Sequence, residues 1–182
     1  MTRPACTRPP NSRLTIYRAQ YKSTVMKSSA PSTARPLRPA DKLKLETQLC
    51  FALYSTLLGV NKVYRSLLRA FDLTYPQYLV MLVLWEKDQV NVSEICDQLY
   101  LETTTLTPLL KRLEARGLIR RRRSAEDERQ VIVSLTDEGR ALRQQVRHVP
   151  DCLGAAMGGS VEEIVELRDK LKKVRSKLFE AA

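Results

Sequence analysis

The spacing of apolar residues changes from a helical to an extended pattern at Gly117, and no other feature of the sequence constrains the fold as strongly. Residues 118–123 and 130–135 are rich in isoleucine, valine and arginine, and they predict two strands joined by the polar residues 124–129. On both sides of this segment, apolar residues recur at steps of three and four, as in amphipathic helices. The sequence therefore predicts a mainly α-helical chain with one small β-hairpin.

Two helices are predicted at the start of this pattern. The first covers about residues 42–71, where leucines and other apolar residues repeat at helical spacing, and residues 72–74 end it. Thr74 is a good N-cap for a second helix that has Pro76 in its first turn and runs to Trp85. A proline costs little in the first turn, because the missing N–H has no helical partner there.

A short helix, a tight turn and a longer helix follow, which is the arrangement of a DNA-reading helix-turn-helix. Asn91 and Glu94 resemble a capping box that opens the short helix at about residues 92–99. The longer helix covers about residues 103–116, and Gly117 supplies a left-handed stop.

Two more helices are predicted after the hairpin. Thr136 caps the first, which ends near Cys152 before a break at residues 154–159 that contains several glycines. Ser160 and Glu163 form a capping box for the last helix. Its apolar residues form a narrow seam suited to packing against another helix. The seam consists of Ile164, Leu167, Leu171, Val174 and Leu178.

Candidate DNA contacts lie on the longer helix and on the hairpin. Small hydroxyl and methyl groups at the start of a helix approach base edges, and basic residues further along reach phosphates. A thin arginine-rich hairpin fits a minor groove, and arginine is attracted to the negative electrostatic potential of a narrow minor groove. The candidates are Thr103, Thr104, Thr105, Thr107, Lys111, Arg112 and Arg116 on the helix, and Arg122, Arg123 and Arg129 on the hairpin.

The positive charge of the chain is concentrated in its first forty residues. The 182 residues have a formal net charge of +11, but residues 1–40 contain eight Lys or Arg, six Pro and no acidic residue. This segment has no periodic apolar face, which predicts a disordered basic tail before a single domain at 41–182. The tail is a DNA-binding arm, an organelle transit peptide, or an extension before a translation start at Met26, and the third interpretation is preferred.

The composition excludes several other functions. The four cysteines are widely spaced and there is one histidine, so neither a zinc site nor a hydrolase triad is expected. The sequence has no G-x-S-x-G motif and no glycine-rich phosphate loop, so neither an enzyme nor a cofactor is expected. Charged residues interrupt every apolar stretch before it reaches membrane-spanning length, and no signal peptide is evident. A cytoplasmic location is therefore expected.

Residues 92–135 resemble the MarR-type winged-helix regulators, especially in the segments 106–114 and 127–131. The resemblance extends over about residues 42–180 and implies an interlocked homodimer whose first and last helices pack together. It also implies that Asp127 and Arg129 shape the wing, with the arginine reaching the minor groove, and that the partner is a palindromic double-stranded operator.

One subgroup is matched more closely, because tyrosines follow Cys50 at distances of 14 and 25 residues. This set is similar to that of the organic hydroperoxide resistance repressors of the two-cysteine type. The resemblance implies that Cys50 reacts with organic hydroperoxides and that Cys152 of the other subunit forms a disulfide with it. It also implies that Tyr64 and Tyr75 of the opposite subunit donate hydrogen bonds to the Cys50 thiolate, and Tyr54 is a further candidate donor.

The residues by themselves also permit simpler interpretations of these cysteines. A cysteine in a helix is most often a small core residue, which is the interpretation preferred for Cys96, and Cys6 in the tail is given no role. A repressor that binds a phenolic or aromatic ligand without thiol chemistry remains an alternative. A thiol peroxidase is a third, disfavoured by the helix-turn-helix and the wing.

Overall fold

Gly117 has a φ of +67°, and strand β2 begins two residues after it. The computed structural model describes residues 42–125, 127 and 129–181. The predicted tail (residues 1–40), Met26 and Cys6 lie outside this part. The helices described are α1 Leu49–Leu68, α2 Tyr75–Glu86, α3 Val92–Leu99, α4 Thr103–Ala115, α5 Asp137–Val146, α6 Val149–Met157 and α7 Val161–Glu180. The strands are β1 Val90–Asn91, β2 Ile119–Arg123 and β3 Val131–Leu135.

The first helix is shorter than predicted. Instead of one α-helix over 42–71, 3₁₀ turns at Leu45–Thr47 and Arg69–Phe71 precede and follow α1. A 3₁₀ turn has nearly the same residue spacing as an α-helix, so the apolar pattern does not distinguish them. Asp72 then adopts a left-handed conformation with a φ of 49°, and the chain turns toward α2. The described residues from Ser55 onward form one compact unit, and the contacts described below lie within it.

The hairpin is part of a three-stranded antiparallel sheet in the order β1-β3-β2, one strand more than the sequence predicted. Val90 of β1 pairs with Val133, and Ile119 of β2 pairs with Leu135. The sequence did not reveal β1, because two residues carry no alternating pattern and the pairing partner is distant in the chain.

A hydrophobic core joins the sheet to the helices α2–α5. Trp85 of α2 is buried, and its Nε1 donates a hydrogen bond to the carbonyl oxygen of Gly139 at 2.8 Å. A Cβ atom on Gly139 would lie 2.1 Å from the carbonyl oxygen of Leu118, so only glycine allows α5 to approach the start of the sheet this closely. This contact fixes the sheet against α2 and α5.

The predicted helix starts are mostly confirmed. Thr74 caps α2 and forms a full capping box with Gln77, and Pro76 lies in the first turn. The prediction for α3 is wrong in one detail: Asn91 accepts a hydrogen bond from the Ser93 N–H, whereas Glu94 forms an ion pair with Lys87 at 2.8 Å. The cap is therefore a single acceptor at Asn91.

The segment after the sheet contains two helices where one was predicted. Thr136 caps α5 as expected, but α5 ends at Val146 and α6 begins at Val149. Pro150, in the first turn of α6, has no N–H for a continuous helix and so favours a new start.

The predicted break at 154–159 is too long. Residues 154–157 belong to α6, and only residues 158–160 separate it from α7, with φ values of +74° at Gly158 and +79° at Gly159. Cys152 therefore lies in the middle of α6 and not at the end of the preceding helix. The capping box of Ser160 and Glu163 at the start of α7 is confirmed.

Candidate DNA interface and thiol site

Helix α4 has one buried face and one exposed polar face. Leu106, Leu110 and Leu113 are almost fully buried in the core, so they fix the rotation of the helix about its axis. The opposite face carries four predicted DNA contacts, all of them exposed: Thr104, Thr105, Lys111 and Arg112. Thr103, at the start of the helix, is also exposed but lies on the side of the buried leucines. The structure thus brings four of the predicted residues onto one face of the helix.

Thr107 differs from the other threonines of this helix. It is half-buried, and its hydroxyl donates a hydrogen bond to the carbonyl oxygen of Thr103 at 2.7 Å. Thr103 itself approaches Cys96, with 3.8 Å between its Oγ1 and the cysteine Sγ. Cys96 is buried, as predicted, so this contact helps to hold α3 against the start of α4.

Arg116, which the sequence suggested as a phosphate contact, makes several contacts within the chain. Its guanidinium donates hydrogen bonds to the carbonyl oxygens of Asp72 and Phe71, at 2.5 and 2.9 Å. It also lies 3.4 Å from the Asp72 carboxylate. These contacts satisfy carbonyl groups at the turn between α1 and α2, and they attach the end of α4 to it.

The four consecutive arginines of β2 do not share one environment. Arg120, Arg122 and Arg123 are exposed, whereas Arg121 is half-buried and contacts Glu114 of α4. Glu114 Oε2 accepts hydrogen bonds from Arg121 Nε at 2.9 Å and Nη2 at 2.5 Å, and Oε1 accepts one from the Arg121 N–H at 3.0 Å.

Glu114 was missed as a candidate, although its hydrogen bonds with Arg121 connect α4 to strand β2 of the wing. Its hydrogen bonds from the Arg121 side chain hold the pKa of the carboxyl below its usual range, so the pair is ionised at neutral pH. The period-two alternation of a strand would have predicted that Arg121 faces away from Arg120 and Arg122. Nothing in the sequence pattern identified Glu114 as its partner.

The tip of the wing is built around Asp127, which is exposed. Its Oδ1 accepts a hydrogen bond from the backbone N–H of Arg129 at 3.0 Å, and its carbonyl oxygen accepts one from the N–H of Gln130 at 2.9 Å. The predicted wing-shaping aspartate thus lies in a tight turn that presents Arg129 on the surface.

Tyr64 and Tyr75 lie against each other in the core beside α2. Their rings are stacked, with centroids 4.0 Å apart and an angle of 14° between the planes. Tyr78 adds a third ring, with its centroid 5.7 Å from that of Tyr64. Burial raises the pKa of all three phenols, and neighbouring phenols raise that of Tyr64 further. At neutral pH these hydroxyls are therefore protonated and able to donate hydrogen bonds.

The cysteines differ in exposure and bonding. Cys50 is a free thiol on the exposed surface of α1, and Tyr54, one turn later, is also exposed. Cys96 is a free and buried thiol, and Cys152 is disulfide-bonded.

Metal binding and membrane insertion have no support in the described part of the chain. Among these residues there is no group of three or more His, Cys, Asp or Glu side chains arranged to hold a metal ion. No helix within the same ranges is long and apolar enough to cross a bilayer.

A helix-turn-helix whose second helix is exposed on one face, followed by an arginine-bearing wing, defines a winged helix-turn-helix protein. A family model described as transcriptional regulator SarA/Rot matches residues 62–146. The chain is 47% identical over 142 residues to the HTH-type transcriptional regulator TtmR of Methylorubrum extorquens, covering 78% of this chain and 73% of that protein. It is 44% identical over 131 residues to the organic hydroperoxide resistance transcriptional regulator of Bacillus subtilis, covering 72% and 89%.

Solved structures agree with these sequence relatives. AbfR of Staphylococcus epidermidis superimposes with a TM-score of 0.66 at 35% identity, covering 78% of this chain and 97% of AbfR. AbfR has also been solved in its reduced form bound to DNA, with a TM-score of 0.67, and in a disulfide form, with a TM-score of 0.55. The chain belongs to the SarA/MarR-type family of winged-helix transcriptional regulators.

Proposed function

We propose that this protein is a cytoplasmic homodimeric repressor that binds a palindromic DNA operator and releases it when organic hydroperoxides oxidise Cys50. The observation that carries the DNA-binding part is the exposed polar face of α4, together with the exposed wing residue Arg129. AbfR, whose reduced and overoxidised forms were both solved bound to DNA, supports the DNA-binding part of this proposal. The Bacillus subtilis regulator, whose name refers to organic hydroperoxide resistance, supports the redox part.

Dimerisation is supported by apolar residues that the chain itself leaves uncovered. No described residue of α7 is buried, and Leu167 and Leu178 are largely exposed. Leu57 and Leu58 of α1 are also exposed. Faces of this kind are stable in water when a second copy covers them.

In a dimer, the two α4 helices are the reading heads, and they would enter successive major grooves about 10 base pairs apart. Base edges would be contacted by Thr103, Thr104 and Thr105, and phosphates by Lys111 and Arg112. The wing would place Arg129 in the flanking minor groove, with Arg122 and Arg123 beside it. A duplex selected by this protein from a randomised library should therefore be an imperfect palindrome, and an asymmetric site would contradict the model.

The redox step is a two-electron oxidation of one thiol. The Cys50 thiolate attacks the outer oxygen of the hydroperoxide, an S–O bond forms, the O–O bond breaks and an alcohol leaves. The product is a sulfenic acid. A second thiol then attacks its sulfur, a disulfide forms and water leaves, which protects Cys50 from irreversible oxidation.

Tyrosine hydroxyls suit the first step, because a thiolate is stabilised by hydrogen-bond donors. Tyr64 and Tyr75 are adjacent, and their raised pKa values keep them protonated. We assign Tyr64 and Tyr75 of the opposite subunit as hydrogen-bond donors to the Cys50 thiolate. Tyr54, which lies in α1 like Cys50, is assigned as a further donor. Oxidation of Cys50 would break these hydrogen bonds and shift the reading heads.

Cys152 of the other subunit is proposed as the second thiol. Since Cys152 is disulfide-bonded in this structure, that bond has to be reduced before Cys152 can serve. A disulfide requires Cα atoms within about 7 Å, and Gly158 and Gly159 allow the end of α6 to move at little cost. To lower DNA affinity a hundredfold, oxidation has to favour the non-binding arrangement by about 2.7 kcal/mol.

Mass spectrometry of reductant-treated protein after an equimolar dose of cumene hydroperoxide tests the redox part. A sensor stops at a disulfide that contains Cys50, a repressor that binds a phenolic ligand stays unmodified, and a peroxidase turns over when reductant is present. Cys50→Ser should bind DNA and ignore the peroxide, and matched Cys96→Ser should respond like the unchanged protein.

The second thiol is identified on non-reducing gels. Oxidised wild-type protein should run as a covalent dimer, and both Cys50→Ser and Cys152→Ser should run as monomers. A covalent dimer that persists in Cys152→Ser and disappears in Cys96→Ser would show that the assignment of Cys152 is wrong.

A further inference from the structure

The wing is connected to the helix-turn-helix by a bridge of two side-chain amides. Asn91, which precedes α3, donates a hydrogen bond from Nδ2 to Oε1 of Gln130 at 2.6 Å. The Oδ1 atom of the same asparagine caps α3 by accepting hydrogen bonds from the N–H and the hydroxyl of Ser93, both at 3.1 Å. Asn91 therefore holds the start of α3 with one end of its amide and the wing with the other.

Gln130 continues this bridge to the wing tip. Its Nε2 donates a hydrogen bond to Oδ2 of Asp127 at 3.2 Å, and the other carboxylate oxygen of Asp127 accepts the N–H of Arg129. The paired strands end at Arg123 and Val131, and one more backbone hydrogen bond, from the Ser124 N–H to the Gln130 carbonyl oxygen at 2.9 Å, joins the two arms beyond them. The side-chain hydrogen bonds of Gln130 add a further constraint on Asp127, nearer the tip. Hydrogen bonds thus run without interruption from α3 to the backbone of Arg129.

We propose that Gln130 is a positioning residue, which with Asn91 fixes the wing tip so that Arg129 faces the minor groove while α4 lies in the major groove. This inference rests on the proposed DNA binding. An ordered tip loses less conformational entropy when DNA binds, so the bridge increases affinity without contacting DNA itself. Because Asn91 leads directly into the helix-turn-helix, the bridge also fixes the distance between the two reading elements.

Gln130→Met tests the proposal, because methionine has a similar length and cannot form either hydrogen bond. Asn91→Ser breaks the bridge from the other side and keeps a good N-cap for α3. Gln145→Met, at an exposed position on α5, is the matched control. Affinity is measured on a duplex that the unchanged protein selects from a randomised library. Both bridge variants should lose about fivefold in affinity, as expected for weak neutral hydrogen bonds, and the control should not change.

Two readouts separate positioning from a general loss of stability. In hydroxyl-radical footprints, Gln130→Met should lose minor-groove protection at the flanks and keep protection under α4. Without DNA, amide hydrogen exchange should become faster at 127–131 and stay unchanged in α4. When Arg129 is already alanine, adding Gln130→Met should have no further effect on affinity, because the bridge acts through Arg129.

Full affinity and an unchanged footprint in Gln130→Met would overturn the proposal. So would an additional loss of affinity in the Arg129→Ala background, because Gln130 would then act independently of Arg129. If the unchanged protein selects no duplex, the proposed DNA binding and this inference fail together. If it binds and Arg129→Ala weakens binding while Gln130→Met does not, only the inference fails.

Discussion

Helices α4 and α7 carry the same pattern of leucines at steps of three and four but differ in what covers them. In α4, Leu110 is 1% exposed and its neighbours Leu106 and Leu113 are fully buried. In α7, Leu171 is 37% and Leu167 58% exposed, and no described residue of the helix is buried. An amphipathic pattern therefore predicts that a face will be covered, and it does not tell whether the same chain or another chain covers it.

Helix α1 shows the same difference along its own length. Leu57 and Leu58 are exposed, whereas Tyr64 and Leu68, further along the helix, are buried. The DNA-reading half of the molecule thus has a complete core of its own. The exposed leucines of α1 and α7 are the surfaces that the proposed dimer would bury.

The largest effect is expected from Leu110→Ala in the core of the reading half. Removing a fully buried leucine leaves a cavity, so the free energy of unfolding should fall by about 2 to 5 kcal/mol. Because Leu110 lies in a core formed within one chain, this loss should be the same at every protein concentration. Urea unfolding at two protein concentrations measures it. A loss below about 1 kcal/mol would show that the core of α4 is less complete than its burial indicates.

Leu171→Ala is the matched substitution in α7, and its effect should depend on protein concentration. In a dimer the leucine is buried by the partner, so its loss should weaken association by about 2 kcal/mol for each side chain buried. Sedimentation equilibrium should show dissociation at higher concentration than for the unchanged protein. A monomer at all concentrations for the unchanged protein would contradict the role given to α7.

The elements that the sequence predicted correctly are those with strong local signals. Thr74, Thr136 and Ser160 start helices because each supplies an acceptor for free N–H groups, and Gly117 ends one because it tolerates a positive φ. Strand β1 and the separation of α5 from α6 were missed. Strand β1 exists only through its long-range pairing with β3, and the separation of α5 from α6 depends on a single proline, Pro150.

Arg129→Ala tests whether the surface of the reading half, and not the dimer face, determines DNA affinity. Loss of a charged wing contact should weaken binding about tenfold, or 1.4 kcal/mol. The slope of log affinity against log salt concentration should become less negative by about one, because one fewer positive charge neutralises a DNA phosphate. Fluorescence anisotropy at several salt concentrations measures both quantities. The dimer should remain intact, and an unchanged affinity and slope would contradict the wing assignment.

The exposure of the candidate DNA contacts was predictable from their residue type and position. Thr103 to Thr105, Lys111 and Arg129 are exposed on the elements expected for them. Roles that depend on a distant partner were not predictable. Arg116, a suggested phosphate contact, donates hydrogen bonds to carbonyl groups 44 and 45 positions earlier, and Arg121 pairs with Glu114. A sequence shows which side chains carry charge but not which charges are already paired.

The smallest effect concerns two aspartates, one in each region. Asp88, between α2 and β1, accepts hydrogen bonds from the N–H of Leu135 at 2.8 Å and from Arg140 at 2.5 Å. Burial alone would raise its pKa, but these hydrogen bonds outweigh it, and the pKa of Asp88 lies below its ordinary value. Asp169 of α7 also has a lowered pKa, caused by its hydrogen bond with Arg168, but it is fully exposed to solvent screening.

The two lowered pKa values should therefore differ in their consequences for stability. A carboxylate whose pKa is lower in the folded state stabilises the fold above its unfolded pKa of about 3.9, and this contribution is lost as pH falls through the folded value. Asp88→Asn should lower the free energy of unfolding by about 1 kcal/mol at pH 7, and the difference from the unchanged protein should shrink below about pH 4. Asp169→Asn should have no measurable effect at either pH. Urea unfolding from pH 7 to pH 3 measures both, and equal effects of the two substitutions would show that the sheet contacts of Asp88 contribute no more to stability than a surface ion pair.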